Sequence, residues 1–97
     1  MKIVILKAAK QDLREGFFFY ESQKVGLGVY FLETLSSDID SLQLFAGTHP
    51  VRFGKYYRLL SKRFPFAVYY RVSDEQIQIY SVVDCRRSPA WISTRLR

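Results

Sequence analysis

From Leu27 the apolar positions step by four, four, four and three, through Phe31, Leu35 and Ile39 to Leu42, with Glu33, Asp38 and Asp40 off that line. This period lays one apolar stripe along a helix over about residues 27–44. Gly47 is its expected stop, and Pro50 prevents a restart. Upstream, Leu13, Phe17 and Tyr20 fall on one face of a helix over 8–24, with Asp12, Glu15 and Glu21 elsewhere. Val25-Gly26-Leu27-Gly28 separates the two, and so short a link predicts an antiparallel helical hairpin. The triplet Phe17-Phe18-Phe19 is wider than one stripe. Part of it must meet a second surface, either the next helix or a partner.

The pattern changes period on both sides of this hairpin. Ile3 to Leu6 is a short continuous apolar run, which predicts a strand buried on both faces. After Pro50, alternating and β-branched or aromatic runs predict strands over 55–61, 66–72 and 76–84. Pro65 stands at the start of its strand, where a missing N–H does least harm. Ser73-Asp74-Glu75 reads as a hairpin turn, and the short connections imply antiparallel pairing. Beyond Ser88-Pro89 a tail with about one helical turn surrounds Trp91. The order βααβββ describes one α+β domain over residues 1–97, a helical hairpin packed on one face of an antiparallel sheet. The other sheet face is left partly open, and the arginines fall to it.

Charge sharpens this picture. Residues 1–51 hold five Lys/Arg against six Asp/Glu, whereas residues 52–97 hold ten against three. The basic half points to a polyanionic target or an acidic partner. Eight Phe, seven Tyr and one Trp argue for an aromatic core and against disorder. No apolar run nears the roughly 20 residues of a membrane span, and the N-terminus has too short an apolar run for a signal peptide. A single cysteine, Cys85, excludes an internal disulfide framework and agrees with a reducing compartment. The expected location is the cytoplasm.

Little in the sequence points to catalysis. There is no Gly-rich phosphate loop, no Ser/His/Asp set and no metal-ligand spacing, so no cofactor or metal is expected. His49, the only histidine, reads as a solvated loop residue, and Cys85 as a half-buried structural thiol. Arginines and aromatics remain. Arg58, Arg63, Arg71, Arg86 and Arg87 are suited to bidentate contact with phosphates or carboxylates. Tyr56, Tyr57, Tyr69 and Trp91 either stack on bases or simply pack the sheet.

Five stretches carry a resemblance to a known family. They are Ala8 through Asp12-Leu13, Gly26-Leu27-Gly28 followed by Phe31, Tyr57-Arg58-Leu59-Leu60, Arg63-Phe64-Pro65-Phe66 running on to Val72, and Val82-Val83-Asp84-Cys85-Arg86-Arg87-Ser88-Pro89-Ala90-Trp91. Over nearly its whole length the chain resembles toxins of the RelE/ParE superfamily, the toxic half of type II toxin–antitoxin modules, whose fold has the same βααβββ order. RelE-like members cut messenger RNA on the ribosome with a basic cluster and a C-terminal tyrosine or histidine. Position by position this chain keeps Arg58 and Arg87, or Arg86 with a one-residue gap. It has Leu60 and Ala67 where the nucleases often carry a lysine and an arginine, and Trp91, Ile92 and Ser93 near their acid–base position. The resemblance therefore favours the ParE-like branch, whose characterised members poison DNA gyrase. No catalytic residue is firm. Arg58, Arg86, Arg87, Trp91 and Arg95 are the candidate target contacts. The resemblance also implies a cognate antitoxin whose C-terminal segment wraps the toxin. Phe17, Phe18, Phe19 and Arg71 are candidate contacts for it, although plain packing also accounts for the phenylalanines. A ribosome-dependent endonuclease and a non-toxic scaffold are the alternatives.

Overall fold

The structure, a computed structural model, describes residues 1–96. The elements run β1 (Lys2–Ile5), α1 (Lys7–Gln23), α2 (Leu27–Asp40), α3 (Leu42–Phe45), β2 (Val51–Arg52), β3 (Tyr56–Leu60), β4 (Phe66–Ser73), β5 (Gln76–Asp84) and α4 (Pro89–Arg95). The strands make one sheet in the order β1-β5-β4-β3-β2. Strands β2 to β5 pair antiparallel, as their short connections require. β1 instead pairs parallel with β5, Ile3 opposite Ile77 and Ile5 opposite Ile79. The sheet is therefore mixed and not wholly antiparallel. β1 and β5 lie near opposite ends of the chain, so no tight turn fixes their relative direction. β1 is also an edge strand, half-buried where its apolar run predicted burial on both faces.

The α2 stripe is buried as its period predicts, at Phe31, Leu35 and Ile39, with Leu42 following in α3. The long helix stops at Asp40 rather than 44, where the Ser41 hydroxyl donates to the Asp38 carbonyl at 2.6 Å. α1 lies close against α2 because each helix presents a glycine to a side chain or backbone of the other. A Cβ on Gly16 would stand 2.5 Å from the Phe31 ring, and one on Gly28 2.7 Å from the Phe17 carbonyl oxygen. The Glu21 carboxylate accepts from the amides of Gly26 at 3.0 Å and Gly28 at 2.9 Å. It thus satisfies donors at the start of α2 that no local side chain caps. In the β4–β5 hairpin, Asp74 and Glu75 both take positive φ, the geometry that a two-residue turn needs.

Two cores result. The larger lies between the sheet and the helical hairpin and joins Phe31, Leu35, Ile39 and Leu42 to Val68, Tyr70, Ile77, Ile79 and Val82. The smaller lies on the opposite sheet face, where Tyr56, Ala67, Tyr69 and Val83 meet Ile92 and Leu96. The tail is thus a helix of seven residues, longer than one turn, and it covers part of a face expected to be more open. Ser88 starts it, its hydroxyl accepting from the Trp91 amide at 3.1 Å, and Pro89 occupies its first turn.

Candidate functional site

The register of β5 creates the site. β1 ends at Ile5, and the Leu6 amide closes the pairing on the Ile79 carbonyl at 3.0 Å. Past that point the outer edge of β5 has no strand beside it. A bulge at Tyr80, where Tyr69 faces Ser81 but Tyr70 faces Ile79, then shifts the alternation, so that Val82 joins the larger core. Asp12 of α1 covers the first exposed donor. Its Oδ2 accepts from the Val82 amide at 2.9 Å and from the Ser81 hydroxyl at 2.8 Å, and its Oδ1 accepts from the Arg95 guanidinium. Asp12 is 7% exposed. The sequence pattern set Asp12 only off the apolar stripe, and the partners that bury it stand too far along the chain for local periodicity to show them.

Beyond this knot a cleft of about 220 Å³ opens between α1 and α4. Gly16, Glu15 and Phe19 form one wall, Arg87 and Trp91 the other, and Phe66, Val82, Val83 and Asp84 the floor. The Arg87 guanidinium lies 4.5 Å from the centre of the Trp91 ring, and Trp91 remains 40% exposed. The neighbouring Arg86 turns to Asp84, with Nε 2.9 Å from Oδ1 and Nη2 2.5 Å from Oδ2. This hydrogen-bonded pair holds the Asp84 carboxyl below the usual carboxylate range and raises the guanidinium. The five candidate target residues thus divide. Arg87 and Trp91 form one lip. Arg86 is partly neutralised. Arg95 is committed to Asp12 and to the Ala8 carbonyl at 3.3 Å.

Arg58 lies elsewhere, on the sheet face that α4 partly covers. It sits directly opposite Tyr69 on β4, and its Nε is buried with no hydrogen-bond partner. Burial raises the Tyr69 hydroxyl pKa, and the adjacent Arg58 guanidinium opposes that rise. The strand residues on this face include Arg52, Arg58 and Arg71 but no Asp or Glu. Tyr56 and Tyr69 are buried, so the base-stacking reading fails for both. Cys85, expected half-buried, is exposed.

The phenylalanine triplet is split among surfaces. Phe17 and Phe18 line a groove on the helical hairpin with Lys10, Leu13, Arg14 and Leu32, whereas Phe19 belongs to the cleft. Phe18 and Phe19 are 58% and 54% exposed, and Phe17 is half-buried. His49 is not simply solvated. It is half-buried, and its Nδ1 meets the Tyr70 hydroxyl, which also accepts from the Gly47 amide at 3.0 Å. Burial lowers the His49 pKa. Among the described residues no group of three or more His, Cys, Asp or Glu is placed to hold a metal. No described helix is long and apolar enough to cross a membrane.

No family model matches the sequence, and no match is found among curated proteins. Among solved structures, a chain of the chromosomal ParDE TA system from P. aeruginosa superposes with a TM-score of 0.77 at 21% sequence identity, over 87% of this chain and 95% of that chain. The fold implied by the sequence resemblance is the fold observed, a ParE-like α+β domain.

Proposed function

We propose that this chain is the toxin of a type II toxin–antitoxin pair, that it acts by binding DNA gyrase, and that a cognate antitoxin neutralises it in the cytoplasm. The observation that carries the reading is the likeness to a chain of a ParDE TA system across nearly the full length of both molecules. The placement of charge supports it. Arg87 stacked on Trp91, with no acidic partner among the described residues, is a ready anchor for a target surface. Arg58, Arg52 and Arg71 extend a cationic face that carries no strand carboxylate. Arg86 contributes less, since Asp84 already holds it, and Arg95 belongs to the scaffold. On the helical hairpin, Phe17 and Phe18 beside Lys10 and Arg14 suit an amphipathic acidic segment of the antitoxin.

One observation favours a second reading, ribosome-dependent RNA cleavage. The unpartnered Arg58 Nε beside the Tyr69 hydroxyl is chemistry that a phosphate would complete. Proton transfer is the weak point of this reading. Tyr69 is 2% exposed with a raised pKa, and His49 bonds Tyr70 of the larger core on the opposite sheet face. A gyrase supercoiling and cleavage-complex assay with the purified chain separates the two. Inhibition with trapped, protein-linked DNA breaks is the expected result. Folded protein without effect on gyrase, together with cut messenger RNA on ribosomes, would reverse the choice.

A further inference from the structure

We infer that the open edge of β5 is a peptide-binding site, which takes an extended apolar segment of a partner chain carrying an acidic residue beside Arg87. The inference rests on the fold and holds whatever the cellular target proves to be.

The hydrogen-bonding pattern of β5 leads to it. The Val82 amide points away from β4, since it reaches Asp12 on α1. The Cys85 amide points the other way, to the Pro65 carbonyl at 2.9 Å, and the Phe66 carbonyl is taken by the Ser61 amide on the far side of β4. Backbone groups alternate along an antiparallel strand, so the Val82 carbonyl and the Asp84 amide also point outward. Asp12 satisfies the Val82 donor, and the Arg87 amide takes the Asp84 carbonyl at 3.1 Å. The Val82 acceptor and the Asp84 donor are left facing the cleft, spaced as one strand presents them to another. An added strand here would continue the row that β1 begins beside β5.

The walls define the occupant. Side chains of an extended segment alternate between two faces. One set would fall toward Gly16 and Phe19 of α1, the other toward Trp91 of α4 and Arg87 just before it. The first wall takes an apolar side chain. The second takes an apolar or aromatic side chain on Trp91 and a carboxylate on Arg87. A helix does not suit the site, because it would leave both free backbone groups unsatisfied.

The test uses the full chain and a random library of octapeptides, each fixed with one glutamate. The tightest binder is then resynthesised with each backbone amide N-methylated in turn. On the unmodified protein, methylation of the one amide that donates to the Val82 carbonyl should weaken binding about tenfold, with little effect at the other amides, as expected for a single lost backbone bond. The Asp84 amide resonance should shift on titration. Asp84→Pro, which removes an outward N–H together with the carboxylate that holds Arg86, should weaken binding about tenfold, whereas Asp84→Ala, which removes the carboxylate alone, should retain it. A library that yields no binder would overturn the inference. So would an N-methyl profile in which no single amide stands out, or full affinity in folded Asp84→Pro. The N-methyl series decides the matter even if Asp84→Pro does not fold.

Discussion

The two faces of the sheet are held by different physics. Beneath the helical hairpin, Phe31, Leu35, Ile39 and Leu42 fill a continuous apolar core, and each contributes about 1.5–3 kcal/mol by burial. Across the sheet, α4 brings only Ile92 and Leu96 to the smaller core. Polar links supply the rest, through Arg95 to Asp12 and from the Tyr56 hydroxyl to the Leu96 carbonyl at 2.9 Å. The hairpin side is the rigid scaffold. The α4 side is attached through a few specific bonds, and it carries Trp91 and stands beside Arg87. The candidate target contacts Trp91 and Arg87 therefore sit on the part of the fold that has less apolar burial, where local opening costs less, whereas Phe17 and Phe18 lie on the scaffold.

Substitutions ranked by expected effect test this contrast. Phe31→Ala should cost about 3–5 kcal/mol in denaturant unfolding, because Tyr20, Phe64 and Phe66 all pack on that ring. Asp12→Ala should cost about 3 kcal/mol, since it strands the half-buried Arg95 guanidinium and two buried donors at once. In this variant, amide exchange should rise first in residues 89–96. Uniform acceleration throughout the chain would mean that α4 is no separate unit. Gly16→Ala should cost about 1–3 kcal/mol, because its methyl overlaps the Phe31 ring. Tyr56→Phe should cost about 1 kcal/mol and act mainly on α4.

The smallest effect concerns pH. Burial favours neutral His49 in the folded chain, so its folded pKa lies below the unfolded value of 6.5. The corresponding stability is complete above pH 6.5. It falls as the pH drops toward the folded pKa, because only the unfolded chain then takes up the proton. His49→Asn, which retains an acceptor for the Tyr70 hydroxyl, should flatten stability between pH 7 and 5 without altering α4. An unchanged slope in this variant would place the titration elsewhere.

The difference between the faces also explains what was legible in the sequence. The α2 stripe, the break at Gly26 and the β4–β5 turn are local patterns, and all appear near their expected positions. The parallel pairing of β1, the burial of Asp12 and the commitment of Arg95 depend on partners far along the chain. Asp12 and Arg95 are 83 residues apart, so nothing in either neighbourhood marks the pair. Glu21 illustrates the same limit, since a residue placed only off the apolar stripe serves as the cap of the next helix. Within the candidate site, Arg87 and Trp91 were legible as neighbours four apart. Arg58 stands apart from them on β3, two strands away from β5, a place set by long-range pairing, and Phe19 parts from Phe17 and Phe18 because successive residues of α1 point about 100° apart.

The most direct measurement is controlled expression of the chain in growing bacterial cells that lack its antitoxin, beside Arg87→Glu and Trp91→Ala. The account predicts growth arrest by the parent chain and its loss in both variants while they remain folded. Unimpeded growth with abundant, folded parent chain would contradict it, and so would full arrest by folded Arg87→Glu.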